Sequence, residues 1–285
     1  MARQFDHLVH CVHDLDAAHQ RFRSLGFTVR PPAVLPFGVR NRVVLLENAF
    51  IELLTIDDPG AIPPAMSGNF SFGAHTQAFL AAGEGLSMLA FRGTDAPADA
   101  RTFGKQGLGS YASFDFSRDA VLADGRKVCA AFSLAFAIDQ ALPRLAFFTC
   151  HHHLPRRELF LQPDYLRHAN GAKRIVEVIL SVSDPTAHQD FFERLTESEA
   201  RAESSGLCFG PSGERIVLVR HDGLAQPRAA AYRLEVADLG VVERQLSDSD
   251  VPYRRADSCI IVAPADAFGV AMEFTANAGE LSRRQ

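Results

Sequence analysis

The stretch Phe5-Asp6-His7-Leu8-Val9-His10-Cys11-Val12-His13-Asp14-Leu15 joins an apolar strand to the start of a helix, and its counterpart is Phe50-Ile51-Glu52-Leu53-Leu54. A histidine early in an apolar strand and a glutamate inside a second one are costly placements unless each finds a partner. Brought together on neighbouring strands, His7 and Glu52 offer one nitrogen and one oxygen ligand to a divalent ion. Asp14, seven residues after His7, opens the helix that follows.

Outward from this stretch, the same grammar recurs four times: apolar strand, aspartate cap, helix with apolar residues three and four apart, then further strands. In the first unit Asp14 or Asp16 caps a helix with Phe22 and Leu25 buried, Gly26 stops it, and strands over residues 39–46 and 50–56 follow. The second begins at 86–91, caps at Asp95 with Pro97 early in the helix, and continues into strands over 110–116, 127–137 and 145–150. The third runs 175–182 as strand, uses Asp184-Pro185 as cap and first turn, buries Phe191, Phe192 and Leu195, and closes with 206–209 and 215–220. The fourth takes 232–236, caps at Asp238, turns Val241, Val242 and Leu246 inward, and ends with 258–262 and 269–274. Four βαβββ units account for the pattern, an α+β architecture.

The stretch from His151 to Gly171 is polar and Pro-bearing, and residues 156–171 of it are read as a linker between an N-terminal domain, 1–155, and a C-terminal domain, 172–278. A second long connection, 57–85, carries two Pro-rich turns and a short helix near 75–82, a length common in lids and binding loops.

Composition narrows the function classes. The 285 residues suffice for two ordinary domains, and 47% hydrophobic with 22% charged content is that of a globular chain. A net charge of −5 leaves no basic footprint for nucleic acid, so a small molecule is the expected partner. Five widely spaced cysteines with no CxxC pair argue against a disulfide framework or a Cys-rich zinc site and for a reducing cytoplasm. The longest mainly apolar stretch, 128–138, is too short to cross a bilayer, and no leader precedes Asp6, so no membrane association is expected. Symmetry statistics favour a homodimer, although an internally duplicated chain can do as a monomer what shorter chains do as dimers.

The pattern resembles the vicinal oxygen chelate superfamily, which includes glyoxalase I, extradiol ring-cleaving dioxygenases, and fosfomycin- and bleomycin-resistance proteins. The resemblance is carried by His7 with Asp14 and the 50–53 strand, and by the terminal Pro264-Ala265-Asp266-Ala267-Phe268-Gly269-Val270-Ala271-Met272-Glu273-Phe274. The Gly38-Val39-Arg40-Asn41 turn, the 57–85 connection and Cys150-His151-His152-His153 look like its glyoxalase-like domain branch. The resemblance implies units paired into two half-open mixed β-sheet cups, with the ligand site inside a cup. Fold likeness by itself does not select the chemistry.

The superfamily's metal positions lie on the first and last strands of each unit, which matches His7 and Glu52 in the first. In the second, Ser87 or Met88 stands where another histidine is expected, and the closing strand lacks an acid. The nearest replacement is the His151–His153 cluster, from which His152 is chosen because strand alternation sends it opposite to its two neighbours. In the C-terminal half Glu177 and Glu273 occupy the corresponding places, the fourth unit offering Ala231 or Tyr232 in place of a histidine. They stand either as an acid pair or as remnants bonded to Tyr232 or Arg233.

The resemblance therefore implies Zn, Ni, Mn or Fe held by His7, Glu52 and His152, with Glu52 or a neighbouring acid as general base. Arg40 and Asn41 are candidates for gripping an anionic or carbonyl substrate group. His10, His13 and His19 are read as exposed or internally satisfied, and His75, in the long connection, as a surface residue, with lining the mouth of the cup as the alternative. The phenylalanines of 70–80 and 110–136 are candidates for an aromatic pocket lining. A metal-dependent isomerase or lyase leads. An extradiol-type dioxygenase and a non-enzymatic binding or resistance protein with a degenerate metal site are the alternatives.

Overall fold

The computed structural model describes residues 2–64, 66–122, 125–155, 162–256 and 258–276. Two eight-stranded mixed sheets carry the fold. The first contains β1 (Phe5–Cys11), β2 (Ala33–Leu35), β3 (Val39–Leu45), β4 (Phe50–Ile56), β5 (Gly85–Gly93), β6 (Phe114–Val121), β7 (Lys127–Ala137) and β8 (Ala146–His152), ordered β2-β3-β4-β1-β5-β8-β7-β6. The second contains β9 (Ala172–Val182), β10 (Arg201–Glu203), β11 (Gly206–Phe209), β12 (Arg215–Arg220), β13 (Arg228–Val236), β14 (Arg254–Ala256), β15 (Cys259–Val262) and β16 (Ala271–Thr275), in the same spatial order. In every unit the first strand lies parallel to the last, and the two first strands of each sheet pair antiparallel at its centre. These are the four βαβββ units and two cups of the vicinal oxygen chelate fold.

Aspartates start the helices as the sequence pattern requires. Asp14, not Asp16, caps α1 (Leu15–Ser24), its Oδ1 accepting from the amides of Asp16 and Ala17 at 2.9 Å each. Asp95 caps α3 (Ala96–Gln106), Asp184 caps a 3-10 turn that leads into the Gln189–Thr196 helix, and Asp238 caps the Leu239–Asp248 helix. Three-residue strands β2, β10 and β14 complete their meanders, being too short to show a period of two. In the long connection α2 spans Phe72–Ala81, three residues earlier than expected because Ser71 caps it. Strand β6 lies at Phe114–Val121 rather than 110–116, since its alternation of inward and outward side chains begins at Phe114.

The faces of the first sheet have separate tasks. Leu8, Val12, Leu89, Phe91 and Phe147 face the helices and share one continuous core with Ile175, Val178, Tyr232 and Phe274 of the second sheet. Val9, Cys11, Leu54, Met88, Phe136 and Phe148 line the concave side together with Phe37, Phe72 and Phe132. The expected linker is only partly described, residues 156–161 lying outside the described residues. Its later part is fastened to the first half, where His168 Nε2 meets the Leu45 carbonyl at 2.7 Å and Asn170 donates to the Leu25 carbonyl at 2.8 Å. Among the described residues no helix is long and apolar enough to cross a membrane.

Candidate metal and substrate site

Strand β1 departs from simple alternation where the site lies. Phe5 faces Phe91 and His7 faces Ala90, so Asp6 is an extra residue in the ladder with β5. A bulge of this kind re-aims side chains. Phe5 enters the helix-side core, whereas Asp6 and His7 meet around a single hydrogen bond, Nδ1 of His7 lying 2.7 Å from Asp6 Oδ1.

The Asp6 carboxyl is wholly buried. Burial alone would raise its pKa, but His152 and His7 together hold it well below the usual carboxylate range. It is therefore ionised and accepts only, which settles the proton positions around it. His7 Nδ1 carries a hydrogen, and so does His152 Nε2, which stands 3.0 Å from each Asp6 oxygen and 3.5 Å from Cys150 Sγ. His152, expected as a third ligand, thus has its Nε2 committed to Asp6 and reaches His7 through that carboxylate.

With Nδ1 donating to Asp6, the His7 ring turns its Nε2 toward Glu52, 3.8 Å from Oε2. The other Glu52 oxygen accepts a short hydrogen bond from Asn41 Nδ2. A ring nitrogen and a carboxylate oxygen therefore face each other in a buried pocket, an arrangement suited to a cation or a proton between them. Phe50 stacks on His7 with ring centroids 4.4 Å apart, and Phe148 meets the ring edge-on at 5.3 Å, so the imidazole plane is fixed. A second donor group overlaps the first: ligand atoms of Asp6, His7 and Cys150 all lie within 4.8 Å of one another.

A cavity of about 50 Å³ adjoins these groups, with His7, Asn41, Glu52, Cys150 and His152 on its wall beside Phe37, Phe50, Phe72, Phe116, Phe132 and Phe148. Outside it lies a cleft of about 870 Å³ between β2, β3, β6 and β7, which shares Asn41, Val43 and Arg118 with the inner cavity. Phe37 touches Phe114 and Phe116 of β6 at 5.4 and 5.2 Å and narrows the passage.

Several expected placements differ. Asn41 faces the cup, but Arg40 points to the other side of β3 and pairs with Asp57 at 3.3 Å, as alternation from Asn41 demands. Met88, seven residues before the capping Asp95, packs with the cup-side cluster at the His7-equivalent place of the second unit, so no second imidazole stands there, and Ala90 is the cross-strand neighbour of His7. His151 and His153 stack on each other at 4.6 Å, and His153 Nε2 lies 2.8 Å from Ser133 Oγ. His75, expected at the surface, is half-buried beside Phe70, and burial pushes its pKa down to about 4. Sequence reasoning passed over Asp6 and Arg118, although an aspartate in an otherwise apolar strand is itself a signal of a buried partner.

The C-terminal cup is closed by ion pairs. Arg215 Nε binds Glu177 at 2.6 Å and its Nη1 binds Glu203 at 2.8 Å, while Arg233 joins Glu177 to Glu273, the latter at 2.6 Å. Arg233 is the cross-strand neighbour of Glu177 on β13. Of the two expected readings of Glu177 and Glu273, the bonded pair with Arg233 is the one found, and guanidinium groups neutralise both.

The fold is that of the vicinal oxygen chelate class. A family model described as a glyoxalase-like domain matches residues 5–196, and the chain belongs to that family. No curated protein matches the sequence. Among solved structures, a hypothetical protein from Staphylococcus aureus superposes with a TM-score of 0.70 at 11% identity, over 95% of this chain and 98% of that one. A mutant 4-hydroxymandelate synthase from Streptomyces coelicolor gives 0.60 at 12% identity, covering 100% of both chains. A 2,2',3-trihydroxybiphenyl 1,2-dioxygenase from Sphingomonas wittichii gives 0.55 at 14%, over 96% of this chain and 90% of that one. At such identities the likeness is one of fold.

Proposed function

We propose that the N-terminal cup binds a divalent metal ion through His7 Nε2 and Glu52 Oε2 and that the protein is a metal-dependent isomerase or lyase acting on a small oxygenated molecule. The observation that carries this reading is the His7 Nε2 and Glu52 Oε2 pair 3.8 Å apart, each side chain fixed from behind by a partner of its own. A bound ion there supplies Lewis-acid stabilisation of charge on two adjacent substrate oxygens.

The chain's own residues do the rest. Asp6 holds His7 in the tautomer whose lone pair faces the cavity, and His152 keeps Asp6 in place. Asn41 steers one Glu52 oxygen and stabilises its charged form. Glu52 is the nearest group able to take a proton from the substrate, with the phenylalanine wall excluding water. Zn, Ni, Mn and Fe all suit a donor set of one imidazole and one carboxylate with open positions.

The test is metal analysis of protein purified without a histidine tag, beside the His7→Ala, Glu52→Ala double variant. About one ion per chain in the parent and none in the variant supports the reading. No metal in either leaves a binding or resistance protein, a role that Met88 at the His7-equivalent place of the second unit favours because a second imidazole is missing there. The Asp6, His7 and Cys150 group is the second candidate donor set, and Cys150→Ser removes metal only if that set is used. Oxygen consumption with catechols tests the dioxygenase alternative, whose ligands would come from the C-terminal cup, where Glu273 is engaged by Arg233.

A further inference from the structure

Arg118 lies on β6, the edge strand, on the same inward face as Phe114 and Phe116. It lines both the inner cavity and the outer cleft, and so sits at the neck between them. Its guanidinium rests over the Phe132 ring, 5.8 Å from the centroid, and its one hydrogen bond among the described residues is a long one of 3.4 Å to the Asp119 carbonyl. No carboxylate among the described residues lies within ion-pair distance of it, whereas the cup arginines of the other half, Arg215 and Arg233, each hold two. Arg30 lines the same cleft close enough for the two cations to oppose each other. The acids on the cleft wall, Asp119 and Asp164, are exposed.

A half-buried arginine at a cavity neck, packed on an aromatic face and with its fork open, is suited to a bidentate carboxylate. We propose that Arg118 is the anion-binding residue of this site and that the substrate is an organic acid, its carboxylate on the guanidinium and its apolar body against the phenylalanines of the cup. The inference deepens the function proposed above and rests on it for the reacting end of the substrate, which enters the inner cavity beside His7 and Glu52. Asn41 is then left to orient Glu52, and Arg40, on the far face, takes no part.

Benzoate and its neutral isostere benzamide are titrated calorimetrically into the full-length protein, with and without prior chelator treatment, and into Arg118→Met and Arg118→Lys. Benzoate binding is expected to weaken at least about tenfold in Arg118→Met and to recover in part with lysine, benzamide binding being unchanged. The difference should survive chelator treatment, which separates binding by Arg118 from ligation of an ion by the carboxylate. Equal benzoate affinity in the parent and Arg118→Met, no saturable benzoate binding by the parent, or an equal loss for both probes overturns the proposal. Metal titration of Arg118→Met tells the two readings apart. Retained stoichiometry with lost benzoate selectivity supports both, and charge selectivity in a protein that binds no metal supports the anion site while removing the metal-dependent function.

Discussion

At the scale of single residues, the site is organised by a buried carboxylate placed behind the proposed ligand His7. Asp6 is completely buried, and its two imidazole partners supply the hydrogen bonds that keep it ionised. Asp6→Asn replaces an obligatory acceptor with a group that must also donate, and lets His7 take the other tautomer. Expected outcomes are a loss of about 3 kcal/mol in urea unfolding and metal affinity lowered about 10- to 100-fold. Unchanged metal affinity would show that His7 needs no orientation from Asp6. His10 gives a separate signature. It is buried, its Nε2 lies 2.8 Å from the Phe268 carbonyl, and burial pushes its pKa from 6.5 down to about 4. The unfolded chain takes up that proton first, so the stability it secures is full above pH 6.5 and is lost as pH falls toward 4. The slope in that window is about 1.4 kcal/mol per pH unit from this group. His10→Asn should remove this part of the pH dependence, with the His75 part remaining. A parent and variant with parallel stability curves would contradict it.

At the scale of elements, the bulge in β1 and the arginines of the second cup determine what each sheet can do. Alternation assigns Arg40 and Asn41 to opposite faces correctly once the strand is aligned, but it places Asp6 opposite to His7, and only the extra residue in the ladder reverses that. In the second sheet the register pairs Glu177 with both Arg215 and Arg233, so the closing charges come from strands far apart in sequence. Arg233→Met leaves buried Glu177 with Arg215 as its remaining cation and half-buried Glu273 without the one that Arg233 supplied. It is expected to cost about 3–5 kcal/mol by chemical denaturation, and Arg233→Met with Glu177→Gln and Glu273→Gln should recover much of the loss. A single variant as stable as the parent would show that the network contributes nothing net.

At the scale of the whole molecule, the two sheets share one core and are sewn together by polar contacts. Phe147 of the first sheet lies 5.3 Å from Phe192 of the second half, centroid to centroid. Asn48 binds the Ile175 amide and carbonyl at 3.0 and 2.8 Å, and the Phe5 amide donates to Glu214 at 2.8 Å. Gly269 sits so close to Glu84 that an added Cβ would meet its carbonyl oxygen at 2.1 Å, and its φ of +84° already disfavours other residues. We expect a single calorimetric unfolding transition for both halves, and Phe147→Ala to lower it as a whole by about 3–5 kcal/mol. Two resolved transitions would mean that the halves on either side of residues 156–171 are independent domains.

The repeat and the capping aspartates were legible in the chain itself, because each depends on local periodicity or on side chain to backbone bonds a few residues long, and the meeting of His7 with Glu52 was expected from two ionisable residues in apolar strands of one unit. The position of Asp6, the exclusion of Arg40, the sealing of Glu177 and Glu273 by arginines, and the place of Arg118 at the cavity neck were decided by tertiary structure. They follow from a ladder irregularity and from register between distant strands. A pattern of period two records which residues share a face, but it does not record where one extra residue exchanges the faces or which remote charge arrives opposite.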